Sequence, residues 1–543
     1  MKSCNISASL AHWAKEMPDQ SAIIEMRSKS QITFKQLEEE SNLIASGLLH
    51  YGMKKGDRVL VMVPYGMKFV TLTFALFKAG AVPVLIDPGL GKKNVLHCIK
   101  QSEPRGIIAI PLVHAIKIVH AIKTLMPTPF KSIQLSVTVG KKWFWRGPTL
   151  DQVKRSGQTD YQMGETPEDQ AAAVLFTSGS TGPAKGVLYT HGMFDQQTRI
   201  LREHFGILPG EKDLPTFPLF GLFSTGMGMT SVIPDMDSTR PAKVNPENII
   251  HPIRNYGITS SFGSPALWDT VSRHCQKNGI QLPSLRRILI AGAPVSGTLL
   301  KRFEPILQPD CKVLTPYGAT EALPVTSIER QEIVNETWPQ SEKGEGTCVG
   351  KPVPGVEIKI IRISEEPILK WREDLEIPKG QTGEIIVKAP WVTKTYFNQE
   401  DVTRLAKIPD GETFWHRMGD VGKWDEQNRL WFCGRKSHRV ITNSETLFTI
   451  PCEALFNQHP DVRRSALVGK GRNREPVIII ESENKDRVSK DRETFIKELL
   501  EIAAASPHTR SIKKILFYPE FPVDVRHNAK IFREKLAAWA ESQ

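Results

Sequence analysis

The chain of 543 residues has seven cysteines, scattered from Cys4 to Cys452, and no C-x-x-C pair. An odd count without paired spacing excludes a disulfide framework and a cysteine-built zinc site, so any bound metal is expected to have oxygen ligands. Long apolar runs are missing too. The longest largely apolar stretch, Phe69–Phe77 before Lys78, is about ten residues, against the roughly twenty that a bilayer crossing needs. The amino-terminal MKSCNISASLAHWAKEMPDQ has no continuous apolar core and no small-residue cleavage site. The expectation is therefore a cytoplasmic protein without a secretory signal. Internal repeats and low-complexity tracts are also absent, which sets aside solenoids and disordered linkers.

What is present is a globular composition with 71 basic against 59 acidic residues, a net charge of +12. Such a balance favours anionic partners: nucleotides, acidic lipid surfaces or nucleic acid. The densest basic-aromatic patch is KKWFWRG, Lys141–Gly147, preceded by HAIKIVHAIKTL, which ends at Leu125. Two readings apply: a surface that rests on a membrane where an oily substrate is found, or a solvated face whose apolar stripe packs on the protein's own core. The second is favoured.

Chemistry concentrates in LFTSGSTGPAKG, residues 175–186. The ten residues from Thr177 to Gly186 hold three glycines, four hydroxyl side chains and one lysine, directly after the apolar run Ala171–Phe176. Glycines let backbone N–H groups approach a ligand closely, while hydroxyls and an ammonium add donors, so the stretch suits a nucleotide's phosphates. It is not a Walker A loop, because Ala184 precedes Lys185 and Gly186 follows it. The apolar Val187–Tyr189 comes next, so the loop is expected to join two strands.

Along the chain, DRVLVMVP, MKFVTLTFALFKAG, AVPVLID, KKNVLHCIKQSE and RGIIAIP alternate strand-like and helix-like runs. That is the βαβ rhythm of a parallel sheet covered by helices. It returns in GITSSF, PALWDTVSRHCQKNG and LRRILIAG. GEIIVKAP and NRLWFCGRK predict a β subdomain. After Arg435 come a short helix at Glu453–Asn457, strands in SALVG and PVIIIES, a helix at Arg492–Ala505, the strand IKKILFYP and a final helix at Ile531–Ala540. The fold class is α/β: a large N-terminal domain, 1–436, of βαβ subdomains plus a small β subdomain, then a small mobile α+β domain, 437–543, of about a hundred residues.

TSGSTGPAKG, YGATE (Tyr317–Glu321), RMGD (Arg417–Asp420), the pair Gly434–Arg435 and Lys530 fall in one order along the chain. In that order they resemble the adenylate-forming superfamily of acyl-CoA synthetases, peptide-synthetase adenylation domains and firefly luciferase. The resemblance spans nearly the whole length and implies ATP and Mg²⁺ as cofactors. It assigns phosphate binding to Thr177, Ser178, Gly179, Ser180, Thr181, Gly182 and Lys185. It implies an adenine-side wall in AGAP, Ala291 with Gly292, Ala293 and Pro294. Tyr317 would stack on adenine beside Gly318 and Ala319, Thr320 would contact phosphate, and Glu321 would hold Mg²⁺, a cation that prefers carboxylate and phosphate oxygens. Asp420 would accept the ribose hydroxyls and Arg435 donate to the sugar. Lys530 would bridge carboxylate and α-phosphate oxygens as charge develops. The catalytic set is Lys530, Glu321, Thr320 and Lys185.

Three departures narrow the activity. Ser437 stands where the family has a hinge carboxylate, TNSETLFT (Thr442–Thr449) lacks the glycines of thioester-forming members, and Ala529 replaces the glycine before the C-terminal lysine. Thioester formation needs a rotation about that hinge. Ser437 also reads as an ordinary turn residue. With HRMGDVG, LWFCGRK and PVDVRHNAK, these variants resemble the olefin-pathway β-lactone synthetases. That resemblance implies a long-chain 2-alkyl-3-hydroxy acid as substrate, no thiol cofactor and no nucleic acid. Weak association with a membrane surface or with pathway enzymes stays open. The runner-up is a fatty acyl-CoA ligase, and the non-catalytic rival is a nucleotide-binding protein that kept the scaffold. PLFGLFSTGMG, Pro218–Gly228, offers an alkyl pocket or a buried core segment.

Overall fold

The computed structural model describes residues 4–116, 129–177, 184–524 and 531–543. Its first layer is a six-stranded sheet with spatial order Leu135–Thr138, Gly106–Ala109, Arg58–Met62, Val82–Ile86, Ala171–Thr177 and Lys185–Thr190. The first five strands run parallel and only the last is antiparallel. Helices Met67–Lys78 and Lys92–Ser102 make the expected crossovers. Every residue from Phe69 to Lys78 is buried, so this helix is apolar all round because it lies between layers.

The second sheet has fourteen strands, thirteen of them along one path and Lys407–Asp410 off it, beside Thr413–Trp424. Its parallel part runs from Ser21–Glu25 through Thr230–Ile233, Lys212–Pro215, Ser260–Gly263 and Arg287–Ile290 to Lys312–Ala319. The expected strand–helix–strand unit appears there as Ser260–Gly263, the helix Pro265–Asn278 and Arg287–Ile290. The Ser264 hydroxyl caps the helix and Gly279 ends it at φ +62°, a left-handed stop that glycine takes without steric cost. Sequence order hid one feature: the chain's first strand joins this sheet and not the one that follows it in the chain.

From Lys312–Ala319 the sheet turns antiparallel through Ala322–Glu329 and Thr347–Pro352 into the β subdomain of Leu430–Arg435, Thr413–Trp424, Gly383–Lys388 and Glu357–Ile361. Arg417, in the strand Thr413–Trp424, is buried against Glu384 on its neighbour, with Nη2 to Oε2 at 2.7 Å. Its Nη1 also donates to the carbonyls of Glu366 at 2.9 Å and Leu405 at 3.0 Å. A buried guanidinium needs such a full set of acceptors.

The C-terminal part has a three-stranded sheet, Val462–Lys470, Glu475–Ser482 and Lys514–Phe517. Helices Thr449–Phe456 and Arg492–Ala505 close one apolar cluster on it, and Arg533–Glu541 packs into another. The expected elements are there, with the first helix starting earlier and the last helix two residues later than expected. No helix among the described residues is long and apolar enough to cross a membrane. All seven cysteines are buried, and none of them is in a disulfide.

Two readings are narrowed. Pro218–Gly226 is a helix whose Phe220, Leu222 and Phe223 belong to the main core, and the Phe220 ring stacks on Phe262 at 3.4 Å. Only Phe220, Ser224 and Met227 of this segment reach the small cleft beside Leu201 and Leu289, so most of PLFGLFSTGMG is core. In KKWFWRG the favoured packing on the core holds for Trp145 alone, while Trp143 and Phe144 are 62% and 77% exposed. The segment is a loop, so no helical stripe directs its aromatics to one side.

A pH response is built into the core. His191 is fully buried at the start of the helix His191–His204, with Phe77 edge-on at 5.5 Å. Burial, helped by the Lys55 charge, lowers its pKa from 6.5 to about 4. Below 6.5 the unfolded chain takes up the proton first, so stability falls as pH drops from 6.5 to about 4, by a total on the order of 3 kcal/mol. His191→Leu is expected to remove this component, and urea unfolding across that pH range measures it. Equal pH slopes in both proteins would contradict the assignment.

Candidate functional site

The two sheets bring their strand ends together, and most of the sequence-identified residues lie at those ends. Open parallel sheets present ligand sites there because successive loops converge at the carboxyl edge. Thr177 ends its strand directly opposite Lys185, which begins the next. Ser178, Gly179, Ser180, Thr181 and Gly182 lie outside the described residues, as does Lys530. The loop does join two antiparallel strands, as expected.

Tyr317, Gly318 and Ala319 are the last residues of Lys312–Ala319, and Thr320–Glu321 form the two-residue turn of a hairpin in which Ala319 pairs with Ala322. The polar turn and the candidate site are one object. A Cβ on Gly318 would lie 2.4 Å from the Ala322 carbonyl oxygen, so the tight return of the chain requires glycine. Ala291, Gly292, Ala293 and Pro294 follow the neighbouring strand Arg287–Ile290, with Gly292 at φ +99°.

Strand register places the remaining pair. Asp420 and Arg435 are Cα partners on adjacent antiparallel strands, and Arg435 Nη1 lies 2.9 Å from Asp420 Oδ1. The Tyr317 hydroxyl donates to Asp420 Oδ2 at 2.7 Å, and its ring leans on Phe432 with centroids 6.1 Å apart. Burial raises the Asp420 pKa, while Arg435 and Tyr317 oppose the rise. The Asp420 charge in turn raises that of Arg435. Asp420, Arg435 and Tyr317 therefore form one contact group before any ligand is considered.

The turn is pinned by residues that the sequence did not single out. The Tyr189 hydroxyl donates to the Thr320 carbonyl, and the Thr393 N–H donates to the Glu321 carbonyl at 2.9 Å. The Tyr396 hydroxyl donates to Glu321 Oε1 at 2.7 Å, and Lys185 Nζ lies 5.3 Å from the centre of the Tyr396 ring. Tyr396 thus touches the lysine of the glycine-rich loop and the carboxylate of the hairpin turn. It arrives through pairing: Phe397 N–H donates to Gly186 O at 2.7 Å, and Val187 bridges Tyr396 in antiparallel fashion. Beneath them, Lys407 is buried and donates to the Thr393 carbonyl. Burial lowers its pKa to about 7, against the pull of Glu321. His416 is buried nearby and held well below its ordinary value, by burial first and then by the Lys407 charge. An isolated tyrosine in KTYFN and a lysine in RLAKIP carry no sequence signal of this role.

Around Ser437 the structure shows anchorage on both sides. Lys436 Nζ donates to Ser364 O at 2.8 Å and lies 3.2 Å from Glu384, while Arg439 Nη2 reaches Glu365 at 2.5 Å. Residues 436–438 form a single 3₁₀ turn, and TNSETLFT contributes a small hairpin in which Thr442 N–H donates to Glu445 O at 2.9 Å. No three acidic, histidine or cysteine residues among the described ones form a metal-ready cluster.

The architecture and the sequence have known relatives. Residues 10–397 match the family described as AMP-binding enzyme. The chain is 43% identical to an olefin beta-lactone synthetase of Xanthomonas campestris pv. campestris over 99% of its own length and 98% of that protein. It is 42% identical to the protein of the same name from Stenotrophomonas maltophilia, with the same coverages. Its fold is similar to o-succinylbenzoate CoA synthetase from Bacillus subtilis in complex with an acyl-adenylate, with a TM-score of 0.76, 21% identity and coverage of 97% of each chain.

The contact between Tyr396 and Glu321 can be measured apart from any activity. Tyr396→Phe keeps the ring over Lys185 and deletes the donor, and a double-mutant cycle with Glu321→Gln is expected to give a coupling of about 1–2 kcal/mol in urea unfolding. Additivity within about 0.3 kcal/mol would contradict the contact.

Proposed function

The chain belongs to the AMP-binding enzyme family, and from that premise we propose that it adenylates a long-chain 2-alkyl-3-hydroxy acid with ATP and closes it to a β-lactone. The observation that carries this reading is the similarity to an olefin beta-lactone synthetase along the full length of both chains, which therefore includes the C-terminal part where thioester-forming relatives are expected to differ.

In this reading residues 1–436 bind ATP and acid, and residues 437–543 act as a lid that carries Lys530. The loop from Thr177 to Gly182 and Lys185 hold the β- and γ-phosphates. Gly292, Ala293 and Pro294 face the adenine across from Tyr317, Gly318 and Ala319. Asp420 accepts from the ribose hydroxyls, its carboxylate oriented by Tyr317 and Arg435. Glu321 suits Mg²⁺, which is usually bound by one or two carboxylates together with phosphate oxygens and water. The donor set fits: one half-buried carboxylate on a turn, fixed by the Tyr396 hydroxyl. The ion, when bound, neutralises charge on the triphosphate.

A carboxylate oxygen of the acid attacks the α-phosphorus, the bond from that phosphorus to the bridging oxygen breaks, and pyrophosphate leaves. Thr320 and Lys530 donate to the oxygens on which charge accumulates. The substrate's 3-hydroxyl oxygen then attacks the acyl carbon, releases its proton, and AMP departs from that carbon. Because nucleophile and electrophile share one molecule, the second step avoids the entropy cost of a bimolecular encounter, and ring strain offsets part of that gain. The tethers of Lys436 to Ser364 and of Arg439 to Glu365 support a hinge that has no need to swing for an incoming thiol. The partner is a small-molecule acid, with no nucleic acid.

Incubation of the purified protein with ATP, Mg²⁺ and a 2-alkyl-3-hydroxy acid, with and without CoA, tests the reading by mass spectrometry and NMR of the products. Lactone, AMP and pyrophosphate are expected without CoA. A product formed only as a CoA thioester would replace the proposal with an acyl-CoA ligase, and absence of ATP–pyrophosphate exchange with any acid would leave only nucleotide binding. Lys530→Ala and Lys185→Ala are each expected to lower adenylation by about 10²–10³-fold, the usual loss when one donor to a developing charge is removed.

A further inference from the structure

The loop Gly140–Gly147 carries Trp143 and Phe144 at 62% and 77% exposure, and Lys141, Lys142 and Arg146 are exposed around them. We propose that this loop docks the protein on an anionic lipid surface, with the two rings entering the headgroup layer and the three cations against lipid phosphates. The inference does not depend on which acid the enzyme activates.

The presentation of the rings is built. Trp145, between them and Arg146, is buried, and its Nε1 donates to Thr138 Oγ1 at 2.7 Å. The His114 ring stacks on Trp145 at 5.4 Å, which ties the loop to the preceding helix. Lys142 Nζ donates to Gly147 O at 2.7 Å, and Thr138 N–H donates to Pro148 O at 3.0 Å, so the loop is closed at its base. Gly147 at φ +101° sits where a Cβ would lie 2.0 Å from Ser136 O, a return that only glycine makes. Trp145 is thus the anchor that holds Trp143 and Phe144 out in water, where large aromatic rings are costly unless they meet a partner.

Charge says which partner. From Pro104 to Leu150 the sequence has no Asp or Glu, and it has Arg105, Lys117, Lys123, Lys131, Lys141, Lys142 and Arg146. Seven positive and zero negative charges give +7 of the chain's +12 in this one stretch. Leu112 and Ile116, one helical turn apart on the helix that contributes His114, are exposed as well, at 64% and 48%. Aromatic rings with cations also suit single-stranded nucleic acid, but exposed aliphatic side chains gain nothing from stacking on bases and do gain from acyl chains. Each basic side chain near an anionic bilayer adds about fivefold to binding.

The test is cosedimentation of the full-length protein with vesicles of phosphatidylcholine alone and of phosphatidylcholine mixed with phosphatidylglycerol, at low and high salt. Binding is expected to the anionic vesicles and to weaken with salt. Trp143→Ser with Phe144→Ser should lower partitioning at least about tenfold, and Lys141→Gln with Arg146→Gln by about 25-fold with a shallower salt dependence. Both double variants lie outside the proposed site, so their thermal midpoints and their turnover of dispersed substrate should match the parent. No binding to anionic vesicles, or binding unchanged by loss of the two rings, overturns the proposal. So does tighter binding to single-stranded DNA than to vesicles, or a Trp143-dependent dimer formed without lipid.

Discussion

The hydrogen bond from the Tyr396 phenol to the Glu321 carboxylate is the contact on which the arrangement of the site depends. Glu321 sits on a two-residue turn, and two separate segments, the strand Lys185–Thr190 and residues 393–396, hold that turn. Tyr189 fixes one carbonyl, Thr393 the other, and Tyr396 the side chain itself. In the proposed function this carboxylate meets a metal and a phosphate at one geometry, and restriction by its neighbours beforehand favours that. The same phenol ring lies under the Lys185 ammonium, so the cation and the anion of the site are spaced by one rigid aromatic plate.

That plate is delivered by a junction between the sheets. Tyr396–Phe397 pairs with the edge strand Lys185–Thr190 of the first sheet, while Thr393, three residues earlier, bonds to the turn of the second. Lys407 below it donates to the Thr393 carbonyl, and burial lowers its pKa to about 7. A lysine there joins the packing of the β subdomain to the electrostatics around Glu321. The opposite wall is set by register: adjacent strands that pair Asp420 with Arg435 bring carboxylate and guanidinium side by side, and Tyr317 closes the group from the strand Lys312–Ala319 of the same sheet.

The loop at 140–147 shows the same economy of means used outward. One buried tryptophan bonded to Thr138 and stacked on His114 is enough to hold two other aromatics in solvent. Their exposure beside an acid-free, basic stretch is a property of the loop's geometry and not of its composition, since KKWFWRG taken as letters reads equally well as a stripe turned inward.

Much of the architecture was legible in the amino-acid order, because alternation of strand-like and helix-like runs, glycine at left-handed stops and the loop between Phe176 and Lys185 are local signals. YGATE and the Gly434–Arg435 pair were visible for the same reason: turn chemistry and strand ends are written within a few residues. What only the tertiary structure decided were relations across long separations. Ser21–Glu25 joins the second sheet through pairing with Thr230–Ile233; most of Pro218–Gly228 is core because Phe262 covers it; Trp143 points out because Trp145 points in. Tyr396 reaches Glu321 because residues 395–397 pair with the edge strand Lys185–Thr190 of the first sheet beside the 320–321 turn of the second. A side chain's chemistry is fixed by its letter, but its partner is fixed by which distant strand end the folded backbone brings within hydrogen-bond range.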